Sequence, residues 1–373
     1  MSTTRSDAVR DRLQQLVDAE SALDDTACLL RVEVPGVGGW SVAAGPVARG
    51  ARRAEIDAPF RTASITKSFT AVAVLQLAAE GRLSLDDPMV EHLPAEVLDL
   101  VPLLHVVDGV SYGERLTVRR LLDHSAGLFD YATSDGFIGA IIEDPARVWT
   151  PRSMLEGHTH WGVPLFPPGE GYGYAYSDTG YVLLGLIIER LDGRPLHESY
   201  RARIVEPLGL RATYLEGHEP HRGPELTHTH EGEHDTSVIH GTADWAGGGL
   251  VSDLDDLTVF ARALVDGTLV AGRWLDELLH WEFRTLDPAR HSRGFLGYSC
   301  GVEARSVHGL LMRGHRGHWG AWMHVHPESG LTVTGTINQA ARRPDGIVFD
   351  AVEAVLSAGL VDGWTMPTTG DGR

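Results

Sequence analysis

Lysine is almost absent from this sequence. Among its 32 lysine and arginine residues, Lys67 is the only lysine. Arginine stays protonated at any physiological pH, whereas a desolvated lysine can lose its proton and act as a base. A single lysine in an arginine-rich chain can arise by chance, but it also indicates a role that arginine cannot fill.

Three other scarcities exclude whole classes of protein. Two cysteines, Cys28 and Cys300, are too few for a disulfide framework. No apolar run approaches the roughly 20 residues of a membrane span, and charges interrupt the N-terminal segment where a secretory signal would need an apolar core. We therefore expect a cytoplasmic protein that does not bind membranes. The net charge of −19 argues against nucleic-acid partners. The sequence leaves the oligomeric state open.

Ser64 precedes the single lysine by three residues. On a helix this spacing puts the hydroxyl and the amine on one face, which is the arrangement of a serine nucleophile beside an activating amine. Residues 65–80 predict one helix that Gly81 ends, and this helix has almost no polar face. A helix that is apolar all round is a buried one. Ser64 and Lys67 therefore make an unusual pair of core residues unless they line a cleft.

The order of predicted elements indicates an α/β (α+β) fold. Strands are predicted near both ends of the chain, at residues 28–34, 40–44, 297–303, 310–313, 321–326 and 331–337. Helices are predicted between them, and a last helix follows. We expect a mainly antiparallel sheet built from both termini and flanked by helices. The predicted domains are residues 1–62 with 292–373 (sheet) and residues 63–291 (helical insertion), with the active site in the cleft between them.

With these residues in view, the chain resembles the serine β-lactamase and penicillin-binding-protein superfamily. It is most similar to the class C-like branch, with its D-aminopeptidases, D-amino-acid amidases and esterases. The matching segments are, in chain order, residues 60–85, 121–128 (LLDHSAGL), 176–181 (YSDTGY), 207–210 (PLGL) and 314–320 (GHRGHWG). This order of motifs is specific for the fold and much less specific for the substrate.

The resemblance implies a role for each motif residue. Ser64 would attack a carbonyl group and form an acyl-enzyme. Lys67 would take the proton, or supply the field that lets Tyr176 take it and pass it to the leaving group. His315 would face the cleft from an edge strand and touch Tyr176 or the substrate. Past Gly317, the backbone N–H of His318 would form an oxyanion hole with that of Ser64.

The chain departs from the family pattern at two positions. Asp178 stands where the family usually has asparagine, and a carboxylate there would pair with Lys67 and favour its charged form. That pairing would shift the proton transfer to Tyr176. The Asp178 carboxylate would also repel a substrate carboxylate. Arg316 stands where a small or hydroxyl residue is usual. Its guanidinium would either bind a substrate carboxylate or point to solvent.

The resulting prediction is a serine hydrolase of amides or esters, including D-amino-acid amides, esters or peptides, that acts on small molecules. The alternatives are an acyltransferase or peptide cyclase using the same acyl-enzyme, a β-lactamase or D,D-carboxypeptidase, and a non-catalytic β-lactam or peptide binding protein. Histidines at 228, 230, 234 and 240 have ligand-like spacing. A solvated loop is the favoured interpretation, so no metal or cofactor is predicted.

Overall fold

Segments from the two ends of the chain build one antiparallel sheet in the computed structural model, which describes residues 3–168, 173–280 and 293–361. The strands, in chain order, are β1 (Cys28–Val34), β2 (Gly38–Ala44), β3 (Phe60–Arg61), β4 (Val106–Val107), β5 (Val110–Ser111), β6 (Tyr214–Leu215), β7 (His230–Glu231), β8 (His234–Asp235), β9 (Leu250–Ser252), β10 (Phe295–Tyr298), β11 (Glu303–Val307), β12 (Leu310–Arg316), β13 (Ala321–Val325) and β14 (Thr332–Thr336).

The main sheet has the strand order β10-β11-β12-β13-β14-β1-β2, and every neighbouring pair is antiparallel. The N-terminal hairpin therefore joins the C-terminal strands through β14, where Val32 lies opposite Val333. A smaller sheet, β3-β9-β6, lies in the middle of the chain. This arrangement confirms the predicted fold class.

Helices cover both faces of the main sheet. They are α1 (Thr3–Asp24), α2 (Thr66–Ala79), α3 (Val101–Leu104), α4 (Val118–Leu122), α5 (Asp135–Glu143), α6 (Pro151–Trp161), α7 (Asp178–Asp192), α8 (Leu196–Tyr200), α9 (Glu206–Leu208), α10 (Trp245–Gly248), α11 (Leu254–Val265), α12 (Arg273–Leu279) and α13 (Asp345–Ser357). The terminal helices α1 and α13 enclose one apolar core with the sheet, and α2, α7 and α11 contribute to the other.

Helix α2 lies at the centre of the second core. All but two of its residues are buried, as expected for a helix without a polar face. The predicted end at Gly81 is correct, since Gly81 has a φ of 72° and Arg82 donates to the carbonyl of Leu77 across the turn. A buried central helix gives the groups at its N-terminus a fixed position.

The predicted strand at residues 297–303 is wrong. It divides into the end of β10 and the start of β11, and the turn between them is closed by a hydrogen bond from Ser299 N to the carbonyl of Val302. Gly301 has a φ of 67°, and a Cβ there would lie 2.6 Å from the Lys67 carbonyl oxygen. Only glycine fits this approach to α2. The alternating apolar residues Tyr298, Cys300 and Val302 imitate a continuous strand in the sequence.

The predicted domain limits stay a prediction, and the boundary at residues 291 and 292 lies outside the described residues. None of the described helices combines the length and apolar content that crossing a bilayer requires.

Candidate active site

Ser64 lies in a 3₁₀ turn, Ala63–Ile65, immediately before α2. The turn is tied to β9 on both sides: the Thr62 hydroxyl donates to the Leu250 carbonyl at 2.8 Å, and the Leu250 N–H donates to Thr66 Oγ1 at 3.0 Å. Ala63 has a φ of 45°, which is unusual for a residue with a side chain. Strained backbone of this kind clusters at functional sites, where the surrounding structure holds it.

Lys67 is fully buried, with all three acceptors that an ammonium group needs. Its Nζ donates to Ser64 Oγ at 3.0 Å, to the Gly247 carbonyl at 2.7 Å and to the Asp178 carboxylate. A neutral amine has only two hydrogens, so this geometry fits the protonated form. In this arrangement Lys67 supplies positive charge to Ser64 and has no lone pair for its proton.

Helix α10 brings the third acceptor to the lysine. The Thr70 hydroxyl donates to the Ala246 carbonyl at 2.7 Å, which holds α10 against α2. A Cβ at Gly247 would lie 2.5 Å from Asp178 Oδ1 and 3.5 Å from Lys67 Nζ. A side chain at 247 would therefore displace the carboxylate from the lysine.

Tyr176 lies beside the lysine, with its ring centroid 4.8 Å from Lys67 Nζ. His124 packs on the same ring at 4.3 Å between centroids. The backbone on either side of Tyr176 is fixed to this histidine: Ala175 N donates to the His124 carbonyl at 2.9 Å, and Ser177 N donates to His124 Nδ1 at 3.2 Å. Sequence motif 121–128 thus positions Tyr176, a role that the sequence alone did not assign to His124.

Asp178 opens α7 and directs its carboxylate at Lys67. Its backbone N–H donates to Asp130 Oδ1 at 3.1 Å, which fixes the first turn of the helix. The arrangement brings Ser64, Lys67, Tyr176 and Asp178 together around one buried ammonium group.

The structure contradicts the prediction for His315 in one respect. Its strand, β12, lies between β11 and β13 and is not an edge strand. His315 is buried, its Nδ1 lies 2.7 Å from the Arg316 carbonyl, and its Nε2 lies 2.9 Å from the Tyr298 hydroxyl. Because a carbonyl only accepts, Nδ1 has the hydrogen. Burial lowers the pKa of His315 to about 4, so Nε2 accepts from Tyr298 at neutral pH.

His315 therefore lies near Tyr176 without a proton to offer it. The two ring centroids are 6.3 Å apart. Tyr298 is the partner that sequence reasoning missed, and nothing in its sequence context distinguishes it from a core tyrosine.

Both predictions for Arg316 are wrong. Its guanidinium neither points to solvent nor lies free for a substrate carboxylate, because it pairs with Glu303 at 3.2 Å and Asp345 at 3.5 Å. Successive residues of a strand point to opposite faces of the sheet, so Arg316 and His315 diverge. We call Glu303, Arg305, Arg316 and Asp345 the arginine cluster.

Gly317 brings the loop after β12 against the Ser64 turn. A Cβ at this position would lie 2.3 Å from the Thr62 carbonyl oxygen and 3.1 Å from Ala63 Cβ. His318 follows it with an exposed side chain. The oxyanion role of the Ser64 and His318 N–H groups stays a prediction, and this close approach is compatible with it.

The histidine-rich stretch forms no cluster of metal ligands within the described ranges. His228 pairs with Asp235 at 2.8 Å, and His240 Nδ1 lies 2.9 Å from the Thr242 hydroxyl. Where the structure is described, the one group of side chains with ligand spacing is Asp87, Glu91 and His92, and no catalytic candidate belongs to it.

Comparison with known proteins places this site in a family. The family profile described as Beta-lactamase matches residues 33–356. Esterase EstB from Burkholderia gladioli is 31% identical over 179 residues, which cover 44% of this chain and 41% of that protein. The putative penicillin-binding protein PbpX from Bacillus subtilis is 24% identical over 260 residues, covering 68% of this chain and 56% of that protein. The matches thus span less than two thirds of either relative.

Solved structures match over nearly the whole chain. A D-stereospecific amidohydrolase from Streptomyces is 28% identical with a TM-score of 0.76, over 92% of this chain and 98% of that one. A D-amino acid amidase from Ochrobactrum anthropi SV3, 24% identical with a TM-score of 0.78 over 94% and 99%, shares the fold. These findings confirm the resemblance predicted from the motifs: the chain belongs to the β-lactamase family.

Proposed function

We propose that the protein is a serine hydrolase that cleaves amide or ester bonds of small molecules through an acyl-enzyme on Ser64. The observation that supports this most is the 3.0 Å contact between Ser64 Oγ and the buried Lys67 ammonium. A fixed positive charge beside the hydroxyl stabilises the alkoxide as it forms. The amidohydrolase and esterase named above are similar in sequence to this chain.

In the proposed reaction, Ser64 Oγ bonds to the carbonyl carbon and the bond to the leaving group breaks. The hydroxyl proton passes to the phenolate oxygen of Tyr176, and the phenol so formed gives it to the leaving group. Only the deprotonated form of a tyrosine can accept a proton, and an unperturbed tyrosine is almost fully protonated at neutral pH. A cation close to the ring is therefore needed to stabilise the phenolate. In the proposed site Lys67 is that cation, and it pairs with the Asp178 carboxylate. Water then attacks the ester of Ser64, releases the acid and restores the hydroxyl.

Amino-acid derivatives are the proposed substrates, because the Asp178 carboxylate beside Lys67 disfavours a substrate carboxylate at that place. Those of D configuration are included because the similar amidohydrolase from Streptomyces is D-stereospecific. The cytoplasmic location expected from the sequence is part of the same proposal.

Intact mass after treatment with a fluorophosphonate tests the nucleophile. The wild type should gain one adduct, and Ser64→Ala should gain none while its circular dichroism spectrum is unchanged. Ser68→Ala is the matched control, because that hydroxyl lies on the same helix and donates to the Gly301 carbonyl at 2.6 Å. It should label like the wild type. An adduct on Ser64→Ala would refute the assignment.

Turnover of a panel then defines the reaction class. p-Nitrophenyl esters, D- and L-amino-acid amides and nitrocefin, with and without an added amine acceptor, separate hydrolysis from acyl transfer and lactamase activity. A labelled Ser64 with no turnover of any compound would favour a binding protein over an enzyme.

A further inference from the structure

The histidine-rich stretch, residues 227–240, contacts both segments that carry the predicted oxyanion donors. One segment is the turn at Ser64, and the other is the loop 317–320, which contains His318. The turn follows strand β3, which has only two residues and pairs with β9 at only two positions. Contacts outside that small sheet therefore contribute to fixing where the turn lies.

Arg61 attaches the second half of the stretch to β3. Its guanidinium donates to three backbone carbonyls, those of Thr236 at 3.0 Å, Ser237 at 3.3 Å and Ile239 at 2.7 Å. The same guanidinium donates to the Glu216 carboxylate at 2.7 Å and 3.0 Å. The side chain is only 9% exposed, so its charge and its fork of donors serve to join β3 to the stretch.

The first half of the stretch is attached to the segment that follows β14. His230 N donates to the Asn338 carbonyl at 2.9 Å, and Ala340 N donates to the His230 carbonyl at 2.8 Å. The Gln339 side chain completes this contact: its Oε1 accepts from Gly232 N at 2.8 Å, and its Nε2 donates to the Gly232 carbonyl at 3.1 Å. Gln339 is buried, and two reciprocal hydrogen bonds fix both the distance and the orientation of the groups that they join.

The segment after β14 also supports the loop that contains His318. Ile337 N donates to the Gly320 carbonyl at 3.1 Å, and a Cβ at Gly320 would lie 3.2 Å from Gln339 N. At its other end the loop packs through Gly317 on the turn before α2. The histidine-rich stretch is thus connected to one donor segment through Arg61 and to the other through Gln339.

We propose that Arg61 and Gln339 are positioning residues that set the distance between the two oxyanion donors, with the histidine-rich stretch as the connection between their segments. The inference rests on the proposed hydrolase function and on the predicted oxyanion role of the Ser64 and His318 N–H groups. An oxyanion hole acts only when its donors lie about 2.7–3.1 Å from the place that the oxyanion will occupy. Loosening the connection should therefore weaken stabilisation of the negative oxygen.

A p-nitrophenyl ester and its thiono analogue, in which sulfur replaces the carbonyl oxygen, test the proposal. Sulfur is a weak hydrogen-bond acceptor, so an oxyanion hole favours the oxygen ester. After correction for the reaction of each ester with hydroxide, the wild type should prefer the oxygen ester by ~10²-fold in kcat/KM. This ratio does not depend on the folded fraction, because a loss of active molecules lowers both rates equally.

Gln339→Met removes the amide at similar volume, and Arg61→Lys replaces the fork of donors by a single ammonium group. Each variant should lower the ratio by about tenfold, the size of a weakened hydrogen bond to a charged group. His234→Ala is the control, because that side chain is exposed on the same hairpin. It should keep the wild-type ratio.

An unchanged ratio in either variant overturns the role of that residue and leaves the hydrolase proposal standing. A wild type that hydrolyses both esters without preferring oxygen overturns the oxyanion prediction and this inference, but not the hydrolase proposal. Failure of the wild type to hydrolyse either ester, together with no fluorophosphonate adduct, overturns the hydrolase proposal and the inference with it.

Discussion

Two groups of buried charges in the described part of the chain differ in composition. The lysine site places one ammonium between the Asp178 carboxylate, the Gly247 carbonyl and the Ser64 hydroxyl. The arginine cluster sets two guanidinium groups against two carboxylates, with Arg305 at 3.0 Å from both Glu303 and Asp345. Lys67 and Arg305 are equally inaccessible, at 0% and 1% side-chain exposure.

Burial therefore does not separate a functional cation from a structural one; the partners do. Every charge of the arginine cluster is matched by another charge of the protein, and no nucleophile takes part. The lysine instead donates one of its hydrogens to the Ser64 hydroxyl, the group proposed as the nucleophile. This contrast agrees with the residue types, since arginine holds a fixed fork of donors and lysine is a compact cation with one polar atom.

Exchanging the two cations should separate the groups most strongly. Lys67→Arg should lower turnover by about 10³-fold, because a guanidinium is larger than an ammonium group and does not fit between Ser64 Oγ and the Gly247 carbonyl. The measurement is kcat/KM for a p-nitrophenyl ester together with the rate of fluorophosphonate labelling.

The reverse exchange, Arg316→Lys, is its control. It should lower the free energy of unfolding while retaining turnover within about tenfold per folded molecule. Near-normal turnover by Lys67→Arg would mean that the compact shape and the three hydrogen bonds of the ammonium group are not needed at position 67.

Removing one carboxylate from the arginine cluster should lower the free energy of unfolding and leave turnover unchanged. Glu303→Gln leaves Arg305 and Arg316 short of a counter-charge in a buried place, which typically costs about 3–5 kcal/mol of unfolding free energy. Urea unfolding measures it. The exposed pair partner Glu233 offers the comparison, since Glu233→Gln should change stability by less than about 1 kcal/mol. An equally small effect at Glu303 would show that water screens the cluster.

The same cluster predicts how stability depends on pH. Burial alone would raise the pKa of Glu303, but Arg316 and Arg305 outweigh it and hold the pKa well below its usual range. A lowered pKa means that this stability is present above about pH 4.3, the value of a free glutamate, and is lost below it. Glu303→Gln should therefore be less sensitive than the wild type to acid below that pH.

Two buried histidines extend the acid-sensitive range. Burial lowers the pKa of His315 to about 4 and that of His324 well below its usual value. The unfolded chain takes up these protons from about pH 6.5 downward, so the wild type should lose stability as pH falls through that range. Urea titrations at several pH values check the effects of Glu303 and of the two histidines. A free energy of unfolding that does not change between pH 7 and pH 5 would contradict the histidine effect.

Local spacing determined how much of the site could be predicted. The Ser64–Lys67 contact lies within one helical turn and could be found from spacing, whereas Tyr176 and Asp178 were found through the resemblance of residues 176–181 to a family motif. The partners of Arg316 could not, since Asp345 comes from the last helix and Glu303 from a strand hidden by the turn at Gly301.

Alternation along the strand could have corrected one prediction in advance. His315 and Arg316 are consecutive in β12, so both could not face the cleft. Strand order could not have been derived this way, because the pairing of β12 with β11 and β13 depends on where the turns fall.

The smallest expected effect concerns the pair between the two groups, Tyr298 and His315. Burial raises the pKa of Tyr298 well above its usual value, so its hydroxyl keeps the proton that His315 Nε2 accepts at 2.9 Å. Tyr298→Phe leaves His315 Nε2 buried without a hydrogen-bond donor, and it frees the His315 imidazole ring to turn toward Tyr176. We expect kcat/KM to fall by about tenfold or less, the size of one neutral hydrogen bond.

¹⁵N NMR of labelled histidine should report the Nδ1–H tautomer for His315 in the wild type at pH 7 and a changed signal in the variant. Tyr112→Phe, beside His105 at 5.7 Å between ring centroids, is the control and should alter neither the His315 signal nor turnover. If Tyr298→Phe leaves both the tautomer and kcat/KM unchanged, Tyr298 only fills space, and His315 is held by the Arg316 carbonyl alone.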